Sequence, residues 1–134
     1  MDGFHMTNSS SIDPVLHPFM AIPGLPFSEM VEAGRLMFLS GQIGSGADGK
    51  LVSGGIRAET RQTLANIAAV LSRHGLSMDR IVKVTVMMAD MAEWSAMNGE
   101  YVAAFGTHLP ARSAFGASGL AMNARVEIEC IALR

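Results

Sequence analysis

Three charged residues near the C-terminus have the types and spacing to handle a small carboxylic acid. Pro110-Ala111-Arg112-Ser113 brings a lone arginine out of a Gly/His/Leu/Pro turn, and Val126-Glu127-Ile128-Glu129 supplies two carboxylates on a strand-like run shortly afterwards. A guanidinium is a planar fork of N–H donors that matches a carboxylate bidentately, and a carboxylate held beside the bound molecule can move a proton or aim a water. Arg112 is also the one charge between Tyr101 and Ala124. A structural reading competes with the catalytic one. Alternation puts Arg125, Glu127 and Glu129 on one strand face, where they would form a solvated charge ladder or an intersubunit ion pair.

Other motifs do not survive inspection. Gly44-Ser45-Gly46-Ala47-Asp48-Gly49 satisfies GxGxxG, but no helix opens at its last glycine and no acidic residue ends a second strand about twenty residues later, so a turn-rich loop is expected. His5, His17, His74 and His108 lack metal-ligand spacing, and with a single cysteine a metal site is not expected. Without a GxSxG elbow, a serine hydrolase triad has no support.

The elements that must position Arg112 and Glu127 follow from periodicity and breakers. Phe27 to Ala33 and Leu36 to Ile43 read as strands joined across Gly34, and Leu51-Val52 as a short third strand. Ile56, Thr60, Leu64, Ile67, Val70 and Leu71 fall on one face of a long helix that Gly75 ends. The near-continuous apolar run from Ile81 to Ala89 predicts a strand covered on both faces. Asp90, with Glu93 three residues on, predicts a capped second helix whose apolar stripe is Trp94, Met97, Tyr101 and Phe105. Strands at Ser113 to Ala117 and Ala124 to Leu133 complete the order β-β-β-α-β-α-β-β, an α+β sheet with both helices on one face.

Composition sets the context. The chain of 134 residues is long enough for one domain with one core. Charged residues are only 16%, against about 25% in a typical protein, and there are eleven methionines. So apolar a chain implies surface buried in an oligomer, or else a Met-rich core. Net charge is −2 and the ten Lys and Arg are scattered, so there is no electrostatic footprint for nucleic acid. Cys130, alone in an apolar strand, reads as a buried inert thiol in a cytosolic protein. There is neither an apolar run of about 18 residues nor a basic residue before Arg35, so no membrane span or signal peptide is expected. Residues 1–26 are read as an extended or disordered N-terminal segment because Pro14, Pro18, Pro23 and Pro26 forbid a helix; His5-Met6 looks like a cloning remnant before a native start near Met6. Residues 27–134 are then a single domain.

From about Pro26 to the C-terminus the chain resembles the RidA/YjgF/UK114 family. The matching segments are Leu39-Ser40-Gly41-Gln42-Ile43, Gln62-Thr63-Leu64-Ala65-Asn66-Ile67, Ile81-Val82-Lys83-Val84-Thr85-Val86, Pro110-Ala111-Arg112-Ser113 and Val126-Glu127-Ile128-Glu129. The resemblance implies a chorismate-mutase-like fold and homotrimers with a ligand cleft at each subunit interface. It also implies cofactor-independent hydrolysis of enamines and imines such as 2-aminoacrylate to 2-oxo acids and ammonia. By the same match Arg112 holds the substrate carboxylate, Glu127 directs water or shuttles a proton, Ser40 and Gly41 line the cleft, Asn98 lies near the pocket and Trp94 is an apolar wall. Two positions depart from the family pattern: Phe27 stands where a tyrosine is common and Ala114 where a cysteine is, which implies a more apolar pocket. The loop before Pro110 is also shorter than in the archetypal members. The competing functions are a non-catalytic trimer that binds small carboxylates or regulates a partner, and ribonuclease or translation inhibition, an older label in this family against which the missing basic patch counts.

Overall fold

The computed structural model describes residues 13–134, so the expected remnant around His5-Met6 lies outside the described residues. One six-stranded sheet carries the fold. Its strands are β1 (Val15–His17), β2 (Met30–Ala33), β3 (Leu36–Gln42), β4 (Ile81–Met88), β5 (Ala111–Gly116) and β6 (Val126–Leu133), in the order β1-β2-β3-β6-β4-β5. The helices are α1 (Gly55–Arg73) and α2 (Trp94–Phe105). Neighbouring strands are antiparallel except β4 and β5, which run parallel because α2 carries the chain back between them.

The strand count matches the expected order, but one strand is a different segment. Leu51 makes a single bridge to Ser45, and the strand that precedes the β2–β3 hairpin is β1, which pairs with β2 through Val15, Leu16 and His17. The reason lies in the prolines. Pro14 and Pro18 flank β1 without occupying its ladder positions, so an edge strand fits between them. Within the hairpin, Gly34 has φ +61° while Arg35 stays negative, the pattern of a type II′ turn with glycine first. The GxGxxG stretch is a turn loop, as expected: Gly49 N–H donates to the Gly46 carbonyl, and Asp48 Oδ1 accepts from Lys50 N–H.

One face of the sheet packs against both helices. Met30, Met37, Leu39, Ile81, Val84, Val86, Met88, Val126, Ile128, Cys130 and Ala132 meet Ile56, Leu64, Ile67, Val70, Leu71, Met97, Tyr101 and Phe105 in one core. α1 buries the face its periodicity predicts and ends where expected. Gly75, at φ +77°, donates to the Ser72 carbonyl while Leu76 donates back to Leu71. α2 begins differently from expectation: Asp90 caps a single 3-10 turn, Met91–Glu93, by accepting from Ala92 N–H, and the Glu93 carboxylate turns away to Arg125 rather than closing a capping box.

β4 is covered on one face only. Ile81, Val84, Val86 and Met88 are buried, but Val82 is 42% exposed and Lys83, Thr85 and Met87 are half-buried. The opposite face of the sheet lies open in the single chain, with Phe38 and Phe115 exposed on it. The apolar run that predicted double coverage is therefore present, without a second layer among the described residues.

Leu71, fully buried where α1 meets the sheet, is the sharpest test of this core. Leu71→Ala should lower unfolding free energy by about 2–5 kcal/mol through lost burial and a residual cavity, read from the urea midpoint at unchanged slope. A loss within about 0.5 kcal/mol would place Leu71 at a surface rather than in the core.

Candidate active site

Glu127 and Glu129 lie on the open face, as strand alternation requires, since the alternate residues Val126, Ile128 and Cys130 are buried under the helices. Their surroundings differ. β3 carries an irregularity between Leu39, which pairs with Cys130, and Gln42, which pairs with Ile128, so Ser40 and Gly41 together face a single residue, Glu129. The bulge is pinned at Ser40, whose hydroxyl donates to the Ser28 carbonyl at 2.6 Å and whose N–H donates to Glu29. Into the space left by the absent side chain of Gly41 leans the Glu127 carboxylate; a Cβ at position 41 would collide with Glu127 Oε2. Burial there, and secondarily the Glu129 charge, hold the Glu127 carboxyl above the ordinary carboxylate range. Among the described residues neither Glu127 nor Glu129 forms an ion pair.

The charge-ladder alternative is corrected by Arg125. Its guanidinium leaves the strand face altogether, donating to Glu93 at 2.7 Å and lying 3.9 Å from the buried Glu59, whose carboxylate also accepts the Arg125 N–H. Arg125 therefore ties the end of β6 to α1 and to the turn before α2, leaving Glu127 and Glu129 unneutralised.

Arg112 occupies the other side of the sheet. It aligns with Val84, a core-facing residue, and its side chain runs toward α2, where Nη1 donates to Asn98 Oδ1 at 2.7 Å. Its Cζ stands 4.7 Å from the centroid of Tyr101 and 5.1 Å from that of Trp94. Glu127 aligns with Met87, an odd number of residues from Val84 on β4, and so faces away. Arg112, Asn98 and Trp94 thus form one group, Glu127, Gly41 and Ser40 another, and a single chain does not bring the two together. Ala114 aligns with Val86 and packs at the core margin on the Arg112 side. Phe27, half-exposed, precedes the Ser28 carbonyl that Ser40 holds and meets Phe19 edge-on at 5.6 Å. The open face bears a depression of about 430 Å³ lined in part by Phe38, Ser40, Lys83, Thr85 and Glu129; neither Arg112 nor Glu127 lines it.

Tyr101 escaped sequence reasoning as a site residue because its place in an apolar stripe reads as core. The signal was its offset from Trp94 and Asn98 by seven and three residues, which puts all three on one helix face. Cys130 is buried, and burial pushes its thiol up to about 12, which agrees with an inert thiol.

Residues 20–134 match the family described as Endoribonuclease L-PSP. The 2-iminobutanoate/2-iminopropanoate deaminase of Capra hircus is 40% identical over 110 residues, spanning 81% of this chain and 80% of that protein. Among solved structures, YyfA of Yersinia pestis, described as a protein of unknown function of the conserved Rid protein family, superposes with a TM-score of 0.83 at 36% identity, covering 91% of this chain and 100% of that one. TdcF of E. coli, solved with bound serine, gives a TM-score of 0.80 at 29% identity over 90% of this chain and 98% of its own.

The raised Glu127 pKa carries a sign that can be tested. A carboxyl whose folded pKa lies above its unfolded value contributes stability that is fully present at low pH and lost as pH rises through the folded value. Glu127→Gln, uncharged at every pH, should therefore melt higher than the parent near pH 7, the gap closing toward pH 4. Thermal scans across that range in which the gap is flat, or opens toward acid, would contradict a carboxylate strained by burial.

Proposed function

The chain belongs to the Endoribonuclease L-PSP family, which includes the RidA and UK114 proteins, and we propose that it hydrolyses reactive imines and enamines of the 2-aminoacrylate type to 2-oxo acids and ammonia. One observation supports this reading most directly: a carboxylate without an ion-pair partner among the described residues is lodged against a glycine bulge and pushed toward neutrality by burial, in a chain 40% identical to an imine deaminase. Such a group takes up a proton more readily than an exposed carboxylate.

In the reaction, Arg112 holds the substrate carboxylate through paired N–H donors. An enamine first takes a proton from solvent at its terminal carbon to become the iminium, the protonated imine. Glu127 then accepts a proton from water as the water oxygen bonds to the iminium carbon, giving a carbinolamine. Glu127 returns that proton to nitrogen, the C–N bond breaks to release ammonia, and the hydroxyl proton passes to the Glu127 carboxylate and on to solvent as the carbon becomes the carbonyl of a 2-oxo acid. Imines hydrolyse in water unaided, so orientation of substrate and nucleophile supplies most of what is needed. The side chains at Phe27, Trp94 and Ala114 favour a substrate with a small apolar tail.

The site is completed between copies in a homotrimer. Supporting this are the low charge, the open apolar sheet face, the unpaired outer edge of β5, and the placement of Arg112 and Glu127 on opposite faces, which leaves each needing its counterpart from a neighbour. Among the described residues no helix is long and apolar enough to cross a membrane, and the buried lone thiol suits the cytosol proposed as its location. Against RNA as substrate stand the net charge of −2 and the pairing of Arg57, Arg61, Arg73, Arg125 and Arg134, half of the ten Lys and Arg, with carboxylates.

Imines generated in situ from a panel of amino acids by an amino-acid oxidase, with 2-oxo acid formation followed, test the activity. Arg112→Lys should remove most turnover while the fold stays intact, because an ammonium cannot reproduce the fork. Glu127→Gln should slow hydrolysis roughly 100-fold with little loss of 2-oxo acid binding, and Glu129→Gln should stay within a few-fold. Equal behaviour of the two glutamate mutants would refute the assignment, and 2-oxo acid binding without rate enhancement would make the protein a binder. Light scattering should report a trimer across micromolar concentrations; a monomer would remove the interface site.

A further inference from the structure

α2 presents Trp94, Asn98 and Tyr101 on one face, and all three meet the same guanidinium. Asn98 Oδ1 accepts a hydrogen bond from Arg112 Nη1 at 2.7 Å, while the two rings approach Cζ to 4.7 and 5.1 Å, within cation–π range. Among the described residues Asn98 is the acceptor Arg112 finds, and no carboxylate pairs with it. A core would ordinarily not spend two aromatic faces and an amide on a lone cation without a counterion, since a half-buried charge is costly until it is paired.

We infer that Trp94, Asn98 and Tyr101 are positioning residues that hold the Arg112 guanidinium ready for a ligand carboxylate, with Tyr101 supplying the buried wall of the clamp. The inference rests on the imine deaminase reading for the ligand's class. It adds two things to that reading. Trp94 and Asn98 act on Arg112 itself, and the fork is already biased: Asn98 takes up one of the two Nη1 donors, while Nε and Nη2 keep all of theirs for the ligand carboxylate. An arginine already held loses less rotamer freedom when it grips its ligand, which raises affinity without a new contact to the ligand.

Tyr101 also offers a clean control. It is buried with 3% of its surface exposed, and among the described residues its hydroxyl has no hydrogen-bond partner, so Tyr101→Phe removes no bond seen there and keeps the ring. The full-length protein and its Tyr101→Leu and Tyr101→Phe variants are titrated with 2-oxobutanoate by calorimetry and assayed with oxidase-generated imine. The Arg112 Nε–Hε signal is followed by ¹⁵N NMR in the absence of ligand. Tyr101→Leu should weaken 2-oxobutanoate binding about 10-fold and raise KM similarly with kcat within about three-fold, the mark of lost ground-state positioning. Its Arg112 Hε signal should lose the ring-current displacement that the parent shows, and Tyr101→Phe should recover most of the affinity and of the displacement. A folded Tyr101→Leu protein with parental affinity and an unmoved Arg112 signal overturns the inference. Should that variant fail to fold, the parent decides: an Arg112 Hε signal indistinguishable from those of the exposed arginines overturns it as well. Should the parent neither bind 2-oxobutanoate nor hydrolyse imine, the functional reading fails while the Arg112 signal still settles the clamp.

Discussion

Strand alternation governs on which side of the sheet Arg112, Glu127 and Glu129 can lie. Val84, Val86, Ile128 and Cys130 must face the helices, because they carry the core; Arg112 is drawn to that side by its register with Val84, and Glu127 is sent to the other by its register with Met87. A slip of one residue in either pairing would move a functional side chain to the wrong face only by expelling core residues with it. The hydrophobic effect that holds the sheet to its helices therefore also fixes the side on which each of these charges lies.

The same constraint makes α2 more than a crossover. Because β5 lies parallel to β4, the chain between them has to return over the sheet, and the helix that does so passes above Arg112. Its position is secured at both ends of the site. Arg125, immediately before β6, donates to Glu93, one residue before α2 begins, so the strand bearing Glu127 and the helix holding Arg112 are tied by one ion pair. On the other side Arg57 and Arg61 of α1 both reach Glu100 of α2.

Most of the architecture was legible in the sequence because it is written in local periodicity and breakers. Ile56 to Leu71 spell one helix face and Gly75 its end; Gly34 marks the hairpin; the strands of Ile81 and Val126 show in their β-branched runs. What local patterns do not encode is pairing across distance. β1 was read as a mere extended lead-in because three residues between prolines carry no alternation of their own, and it becomes a strand only by hydrogen bonding to β2. Glu93 fits a capping box until Arg125, 32 residues away, offers its carboxylate a charged partner instead. Arg125 looked like a member of a charge ladder for the same reason: alternation predicts where a Cβ points and not how far a long side chain travels from it. The family motifs named Arg112 and Glu127, yet that they lie on opposite faces is a property of register.

The pair of glutamates shows how a fold distinguishes residues that sequence treats alike. Glu127 and Glu129 have the same side chain, the same strand, the same face and a separation of about 6.8 Å, the rise of two strand residues. The difference comes from β3. Its bulge sets Ser40 and Gly41 against the position of Glu129, and the missing side chain of Gly41 leaves room on one flank only, toward Glu127. Glu129 stays exposed while the Glu127 carboxylate is drawn against backbone and loses water. Glu129 still contributes, since its charge adds to the burial that makes ionising Glu127 harder. Two equal carboxylates thereby acquire different surroundings, one half-buried and harder to ionise, the other solvated and adding its charge to that effect, a difference set by one glycine on the adjacent strand.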